Sequence, residues 1–272
     1  MRFARITALA AVCALTLGIA GCSSTPDEQQ FADYQSLMLS IGKMRGDRRP
    51  VDAPYDAATL AENFRRIAFF QTPDDRTRQA KRLTKWDGPI RFALYGTDLT
   101  RKDALTVGDL MNRVSRLTDL AVYPDARTPN FMIFILSPGD QIDNLPSTIE
   151  GSVASDLDQL ARYAWDCSVH AYTAGPNDSE ITTAVVYIRA AVKDFYRQAC
   201  LHEEIFQGLG LFADDVTVRP SIFNDDEEFA LLTEHDEHLV RILYDPRLRP
   251  GMTAQQAMPM ASSIARGLRP GL

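Results

Sequence analysis

The sequence lacks several patterns on which common enzyme classes depend. It has 272 residues but four histidines, and none has the spacing of helical metal ligands; His235 and His238 lie in an acidic run that predicts surface positions. No two cysteines follow the C-x-x-C spacing, which argues against a cysteine zinc site. The absence of G-x-S-x-G argues against a serine hydrolase, and the absence of a fixed repeat argues against a solenoid or propeller.

The sequence also has no excess of basic residues. Its 29 Lys and Arg stand against 36 Asp and Glu, giving a net charge of −7. A nucleic-acid partner is disfavoured, because proteins that bind nucleic acid use basic side chains to neutralise phosphates. Long hydrophobic runs are missing as well: the apolar stretch over residues 6–20 is shorter than the roughly 20 residues that cross a bilayer.

That short apolar stretch has the features of a secretory signal peptide over residues 1–21. Arg2 and Arg5 precede it, and Gly21 and Cys22 follow it. Removal of the signal leaves 27 basic and 36 acidic side chains, a net charge of −9. The polar segment Ser23–Gln30 is then expected to be a tether between the anchor and the domain.

The ending Ile19–Cys22 resembles a bacterial lipobox. The resemblance implies that Cys22 is diacylated on its sulfur and becomes the first mature residue, so that acyl chains hold the domain on a membrane surface. The alternative is an ordinary cleaved signal with an idle cysteine. Because Ser23 follows the anchor where inner-membrane lipoproteins of enteric bacteria have aspartate, the resemblance favours the periplasmic face of the outer membrane in the cell envelope.

Cys167 and Cys200 remain as a pair if Cys22 carries lipid. In an oxidising compartment we expect them to form a disulfide, whereas the alternative is two buried free thiols. The loop-entropy model gives such a bond roughly 3–4 kcal/mol at this separation.

The order of predicted elements indicates an α+β fold with one mixed sheet. We expect four segments: 1–21 as signal peptide, 22–54 as lipidated cysteine, tether and short helix, 55–248 as the main domain, and 249–272 as a C-terminal extension. Hydrophobic periodicity predicts helices over Phe31–Met44, Asp56–Phe70, Thr106–Ala121, Val153–Tyr163, Val192–Leu211, Glu234–Tyr244 and Thr253–Arg266, and strands over Ile90–Tyr95, Asn130–Leu136, Ser168–Tyr172 and Glu180–Ile188.

The helix over Val192–Leu211 is the one place where polar groups that could do chemistry are concentrated. Glu203 and Gln207 are four residues apart and share a face, while Glu204 lies about 100° further round the helix. Gly208 and Gly210 mark the end of this helix.

The segment Cys200–Leu211 is similar to the zincin helix His-Glu-x-x-His-x-x-Gly-x-x-His, although every ligand histidine is absent. The resemblance places Glu203 at the first histidine, Glu204 at the catalytic glutamate, Gln207 at the second histidine, Gly210 at the glycine and Ala213 at the third histidine.

Two later blocks extend the resemblance. Ser221–Asp225 looks like the turn beneath the metal in metzincins, with Phe223 at the methionine, and Leu232–Tyr244 looks like their closing helix. Continued by Asp245–Met252, the three blocks resemble more closely a proteobacterial lipoprotein family, domain of unknown function family 2927. That resemblance implies a zincin-like (metzincin-like) fold with a central motif helix and without an established activity.

A catalytic zinc site needs three protein ligands and an open position for water. Gln207 offers only a neutral amide, so a site of Glu203, Gln207 and Asp214 would favour calcium or magnesium if any metal binds. No cofactor is expected, although zinc and calcium stay open. The alternative for the two adjacent acids is that one of Glu203 and Glu204 caps or pairs with a basic side chain while the other is exposed.

The leading hypothesis is a lipid-anchored pseudo-peptidase whose cleft, with Glu203, Gln207 and Gly210, binds a peptide or protein partner. One alternative is an active metallopeptidase with oxygen ligands, in which Glu204 activates water and Glu203 holds the metal. Another is a structural scaffold of the envelope.

Overall fold

The computed structural model describes residues 27–69, 82–137, 140 and 166–268. The predicted signal peptide, Cys22 and the predicted helix over residues 153–163 lie outside these ranges. Within them, no helix is long and apolar enough to cross a membrane. The described elements are α1 Glu28–Ser40, α2 Ala57–Phe69, β1 Ile90–Gly96, α3 Arg101–Thr118, β2 Val122–Pro124, β3 Phe131–Leu136, β4 Cys167–Ala174, β5 Glu180–Arg189, α4 Asp194–Gln207, α5 Glu234–Tyr244 and α6 Ala254–Leu268.

The five strands form one mixed sheet in the order β2-β1-β3-β5-β4, which confirms the predicted α+β class. Four strands are parallel, and β4 runs antiparallel to β5 at one edge. Strands β4 and β5 form an antiparallel hairpin. A short connection joins β4 to β5, and β5 is followed directly by α4.

The centre of the sheet is apolar on both faces. All six residues of β3 are buried, and the strand predicted over Asn130–Leu136 lies at the centre of the sheet. Phe131, Ile133 and Ile135 of β3 belong to the same hydrophobic core as the buried residues of the helices.

Helices α2 and α6 pack against one another. Helix α6 lies in the predicted C-terminal extension, and it buries Ala257, Ala261 and Ile264. The small alanine side chains allow a close approach to α2. Asp56 accepts a hydrogen bond from the Thr59 N–H at 2.7 Å and so caps α2.

The predicted disulfide between Cys167 and Cys200 is present, with 5.9 Å between the Cα atoms. It joins the edge strand β4 to the middle of α4. The motif helix is therefore covalently attached to the sheet.

The end of α4 is held by the core. The Trp86 Nε1–H donates to the Gly208 carbonyl at 3.0 Å, and the Tyr244 hydroxyl donates to the Leu209 carbonyl at 2.8 Å. Gly210 has a φ of +115°, and a Cβ there would lie 2.0 Å from the Thr84 carbonyl oxygen. Glycine is required at this position for both reasons.

Candidate functional site

The row of polar side chains on α4 meets an acid from the loop that follows it. The Gln207 Nε2 donates to Asp214 Oδ1 at 2.6 Å and lies 3.5 Å from Glu203 Oε1. The structure thus brings together the three residues that the sequence indicates as weak metal candidates. The contact among them is made by the amide N–H of Gln207, which is a hydrogen-bond donor and not a metal ligand.

Glu204 is separate from this row and is buried, with 5% of its surface exposed. Its Oε2 atom has no hydrogen-bond partner in the described part of the chain. Burial, together with the carboxylates of Asp214 and Asp166, raises the pKa of Glu204 well above its ordinary value.

Glu203 lies near three other acids. We name the four residues the acid cluster: Glu203, Asp214, Asp225 and Glu227. A small cavity of about 50 Å³ lies among Glu203, Asp225 and Glu227. Burial and the charge of Asp225 raise the pKa of Asp214 to about 7. Burial and the charges of Asp166 and Asp225 raise the pKa of Glu227 to about 7. Burial and the adjacent Glu204 and Asp214 likewise raise the pKa of Glu203 well above its ordinary value.

The structure contradicts the expectation that one of Glu203 and Glu204 pairs with a basic side chain while the other is exposed. Glu203 is partly buried and Glu204 is buried, and neither forms a salt bridge within the residues that the structure describes. The motif helix therefore carries one buried and one partly buried acid, and neither is paired with a cation in the described ranges. Burial and the neighbouring carboxylates disfavour the charged forms of both side chains, which is why their pKa values are raised.

The donor set does not fit a zinc ion. Gln207 directs its amide nitrogen toward the carboxylates of Glu203 and Asp214, and an N–H group cannot donate electrons to a cation. Across the described ranges, no group of three His, Cys, Asp or Glu side chains is arranged to hold a metal ion. No step through a metal can be derived from these residues.

The turn Ser221–Asp225 lies against Glu203, because Asn224 and Asp225 line the same cavity. Asp236 of α5 fixes this turn: its carboxylate accepts from Ser221 Oγ at 2.6 Å and from the Ile222 N–H at 3.3 Å. Asp236 also completes the capping box of α5. Sequence reasoning missed its role, although the spacing Thr233–Asp236 is the signal that could have found it.

Helix α1 lies against α4 beside the acid cluster. The Tyr196 N–H donates to Gln35 Oε1 at 2.7 Å, and the rings of Tyr34 and Tyr196 are 5.4 Å apart. The Tyr196 hydroxyl donates to Asp166. Burial and the nearby Glu227 raise the pKa of Tyr34 to about 12. Helix α1 thus places Tyr34 beside Glu227 of the acid cluster. It begins at Glu28, so the last three residues of the predicted tether Ser23–Gln30 are helical, which corrects that prediction.

Gly210 serves packing against Thr84 and is not exposed to a cleft. The structure also contradicts the predicted surface position of His235. His235 is fully buried, and its Nε2 lies 3.0 Å from the amide nitrogen of Asn63.

Sequence reasoning also missed Arg197, which the structure places at the base of α4. Its guanidinium is 2.9 Å from Asp103 of α3 and donates to the carbonyls of Ala190 and Val192 at 2.7 Å each. The ion pair is buried on both sides. A single basic residue within an amphipathic helix carries no sequence signal of burial.

A comparison with curated proteins finds no match. The family model described as protein of unknown function (DUF2927) matches residues 57–262, which include the sheet, the motif helix, the turn and the closing helix. The chain therefore belongs to this family of proteins of unknown function.

Proposed function

We propose that this chain is a lipid-anchored protein of the cell envelope whose zincin-like domain is not catalytic and binds a peptide or protein partner. In this proposal Cys22 carries the lipid, and the domain faces the periplasm. The fold keeps the shape of a peptidase domain and uses it for binding.

One observation carries the non-catalytic part of the proposal. The Gln207 amide nitrogen donates to Asp214 at 2.6 Å and lies 3.5 Å from Glu203, so the side chain at the second former ligand position presents N–H groups to two carboxylates. Both Glu203 and Glu204 have raised pKa values because they are buried without cations. This arrangement supports a non-catalytic domain, because an amide N–H group at a former ligand position cannot bind a cation.

The order of elements supports the zincin-like part. A mixed sheet leads through β5 into α4, the turn Ser221–Asp225 packs beside Glu203, and α5 closes the domain. These are the three blocks that resemble metzincins, in the same order. Support for the envelope location comes from the pattern of residues 1–22 in the sequence.

Metal analysis of the full chain, purified in detergent, tests the non-catalytic proposal. We expect less than one tenth of an equivalent of zinc per chain, since the amide at Gln207 excludes the ion. We also expect no cleavage of a peptide library with added zinc or calcium. Stoichiometric zinc, or cleavage that disappears in Glu204→Gln, would establish the competing metallopeptidase.

Crosslinking in cells separates a binding domain from a structural scaffold. A binding domain should recover a discrete partner whose yield falls when the binding surface is altered. A scaffold should give crosslinks that are insensitive to such substitutions.

A further inference from the structure

A groove runs between α3 and α4 on a face of the motif helix that the acid cluster does not use. We name it the α3–α4 groove. Its volume is about 540 Å³, within the range of about 300–1,000 Å³ that is usual for ligand sites. Phe195, Gln198 and His202 line it from α4, whereas Glu203 and Gln207 lie on a row about 100° round the helix.

The α3 wall of the groove is basic in a chain that is acidic as a whole. Lys102, Arg113 and Arg116 line it, against the single lining acid Asp109. Arg113 pairs with the buried Glu237 of α5. Lys102 and Arg116 are exposed, and neither has a hydrogen bond or ion pair within the described part of the chain. Two positive charges are therefore available to an acidic ligand.

The spacing of these two charges favours an extended ligand. Lys102 and Arg116 are 14 positions apart on one helix, about 21 Å along its axis at 1.5 Å per residue. A single phosphate or carboxylate group cannot reach both. An extended peptide of about six residues can, because it advances about 3.3 Å per residue.

The α4 wall offers hydrogen-bond donors. His202 Nδ1 accepts from the Leu232 N–H at 2.9 Å, so a neutral His202 carries its proton on Nε2. Burial lowers the pKa of His202 to about 4 and keeps the ring neutral. The Gln198 Oε1 accepts from Thr106 Oγ1 at 2.5 Å, which leaves the amide nitrogen as the free end of the side chain. Peptide carbonyl groups and carboxylates are the matching acceptors.

We propose that the α3–α4 groove binds an extended acidic peptide segment of the partner, with acidic side chains near Lys102 and Arg116 and an apolar side chain against Phe195. This inference names the chemistry of the partner and rests on the proposed function, which calls for a peptide or protein ligand. It moves the binding surface from the former catalytic row to the neighbouring face of α4.

The probe is a fluorescein-labelled eight-residue peptide with two glutamates at each end and alternating leucine and serine between them. Binding to the full chain in detergent is measured by fluorescence anisotropy. The double variant Lys102→Glu/Arg116→Glu should weaken binding about tenfold or more, because both attractions become repulsions. Asp109→Asn should strengthen binding. Affinity should also fall at high salt, because these charges are exposed.

The matched control is Arg101→Glu/Arg127→Glu, which changes the net charge equally at two exposed positions outside the groove. It should bind the peptide as the parent does, and thermal unfolding should show that both double variants are folded. Equal affinity of the groove variant and the parent would overturn the proposal. So would binding to anionic phosphatidylglycerol vesicles that requires Lys102 and Arg116 while the peptide does not bind.

These outcomes are separable from those of the proposed function. A peptide that binds the groove and is also cleaved, or a chain that carries zinc, contradicts the non-catalytic proposal and leaves the groove in place. A metal-free, inactive chain that does not bind the acidic peptide contradicts only the proposal for the α3–α4 groove.

Discussion

At the scale of single residues, we expect the removal of the Arg197 side chain to destabilise the fold strongly. It is 3% exposed at its side chain, and its partner Asp103 is 2% exposed. Arg197→Met leaves a buried carboxylate without its cation and two carbonyls without their donor. We expect the free energy of unfolding to fall by about 3–5 kcal/mol, measured by urea denaturation.

Two further variants show whether the buried charge is responsible. Arg101→Met, at an exposed position of the same helix as Asp103, should leave stability within about 0.5 kcal/mol of the parent. The double variant Arg197→Met/Asp103→Asn should recover part of the loss, because it removes the stranded charge. A double variant that is as unstable as both changes added together would contradict this explanation.

Asp214 should make stability depend on pH. Its pKa of about 7 in the folded protein lies above its ordinary value of 3.8, so the folded state holds a proton that the unfolded state releases. This contribution is therefore full below about pH 4 and is lost as the pH rises through 7. The lowered pKa values of His202 and His238 act in the opposite direction near neutrality, which requires a comparison between variants.

The comparison uses Asp214→Asn, which removes the carboxyl group and keeps both histidines. The difference in free energy of unfolding between this variant and the parent should shift by about 1 kcal/mol in favour of the variant as the pH rises from 6 to 8. The size follows because one pKa unit is worth about 1.4 kcal/mol. Urea denaturation at the two pH values measures it, with the exposed Asp87→Asn as matched control. A stability difference from the parent that stays constant over this range would show that Asp214 is ionised throughout.

At the scale of elements, the disulfide should govern how firmly α4 is held to the sheet. Cys200→Ser should lower the free energy of unfolding by roughly 2–5 kcal/mol, with a domain of this size toward the lower end. Cys167→Ser breaks the same bond from a less buried position and should cost a similar amount. If Cys167→Ser leaves the free energy of unfolding unchanged, the stability lost in Cys200→Ser comes from burying a hydroxyl group and not from the missing disulfide.

The helices and the buried strands could be predicted because they bury a regular stripe or a continuous run of apolar residues. Helix α5 begins and ends where the sequence predicts it. Helix α3 begins at Arg101, five residues before the predicted Thr106, because its first turn is polar and is held by the capping box of Thr100 and Asp103. Strand β2 was missed because its three residues are partly or fully exposed, so burial leaves no pattern in them.

The site could be located from the sequence, but its chemistry could not. The periodicity correctly puts Glu203 and Gln207 on one face of α4. Whether they meet a cation, water or another acid depends on the loop that brings Asp214 to Gln207, and loop geometry has no periodic signal. Likewise, the acidic run around His235 indicates exposure, yet α5 turns this face inward.

At the scale of the whole molecule, the proposed anchor decides where the domain works. Cys22→Ala should abolish metabolic labelling with an acyl chain and move the protein to the soluble fraction, since lipid is its proposed attachment. Cys13→Ala, inside the predicted signal peptide, is the matched control and should leave labelling and fractionation unchanged. If Cys22→Ala sediments with membranes as firmly as the parent, the anchor assignment is wrong.

The bond between Cys167 and Cys200 also closes a covalent ring that contains β4, the hairpin connection, β5 and the first half of α4. The connection is the exposed tip of this ring, with Gly175, Asn177 and Asp178 open to solvent. A protease that cuts there opens the ring without releasing a fragment. The nicked chain should migrate as one band on a non-reducing gel and separate into two pieces only after reduction, so the domain can be cut once at this exposed hairpin and stay in one piece.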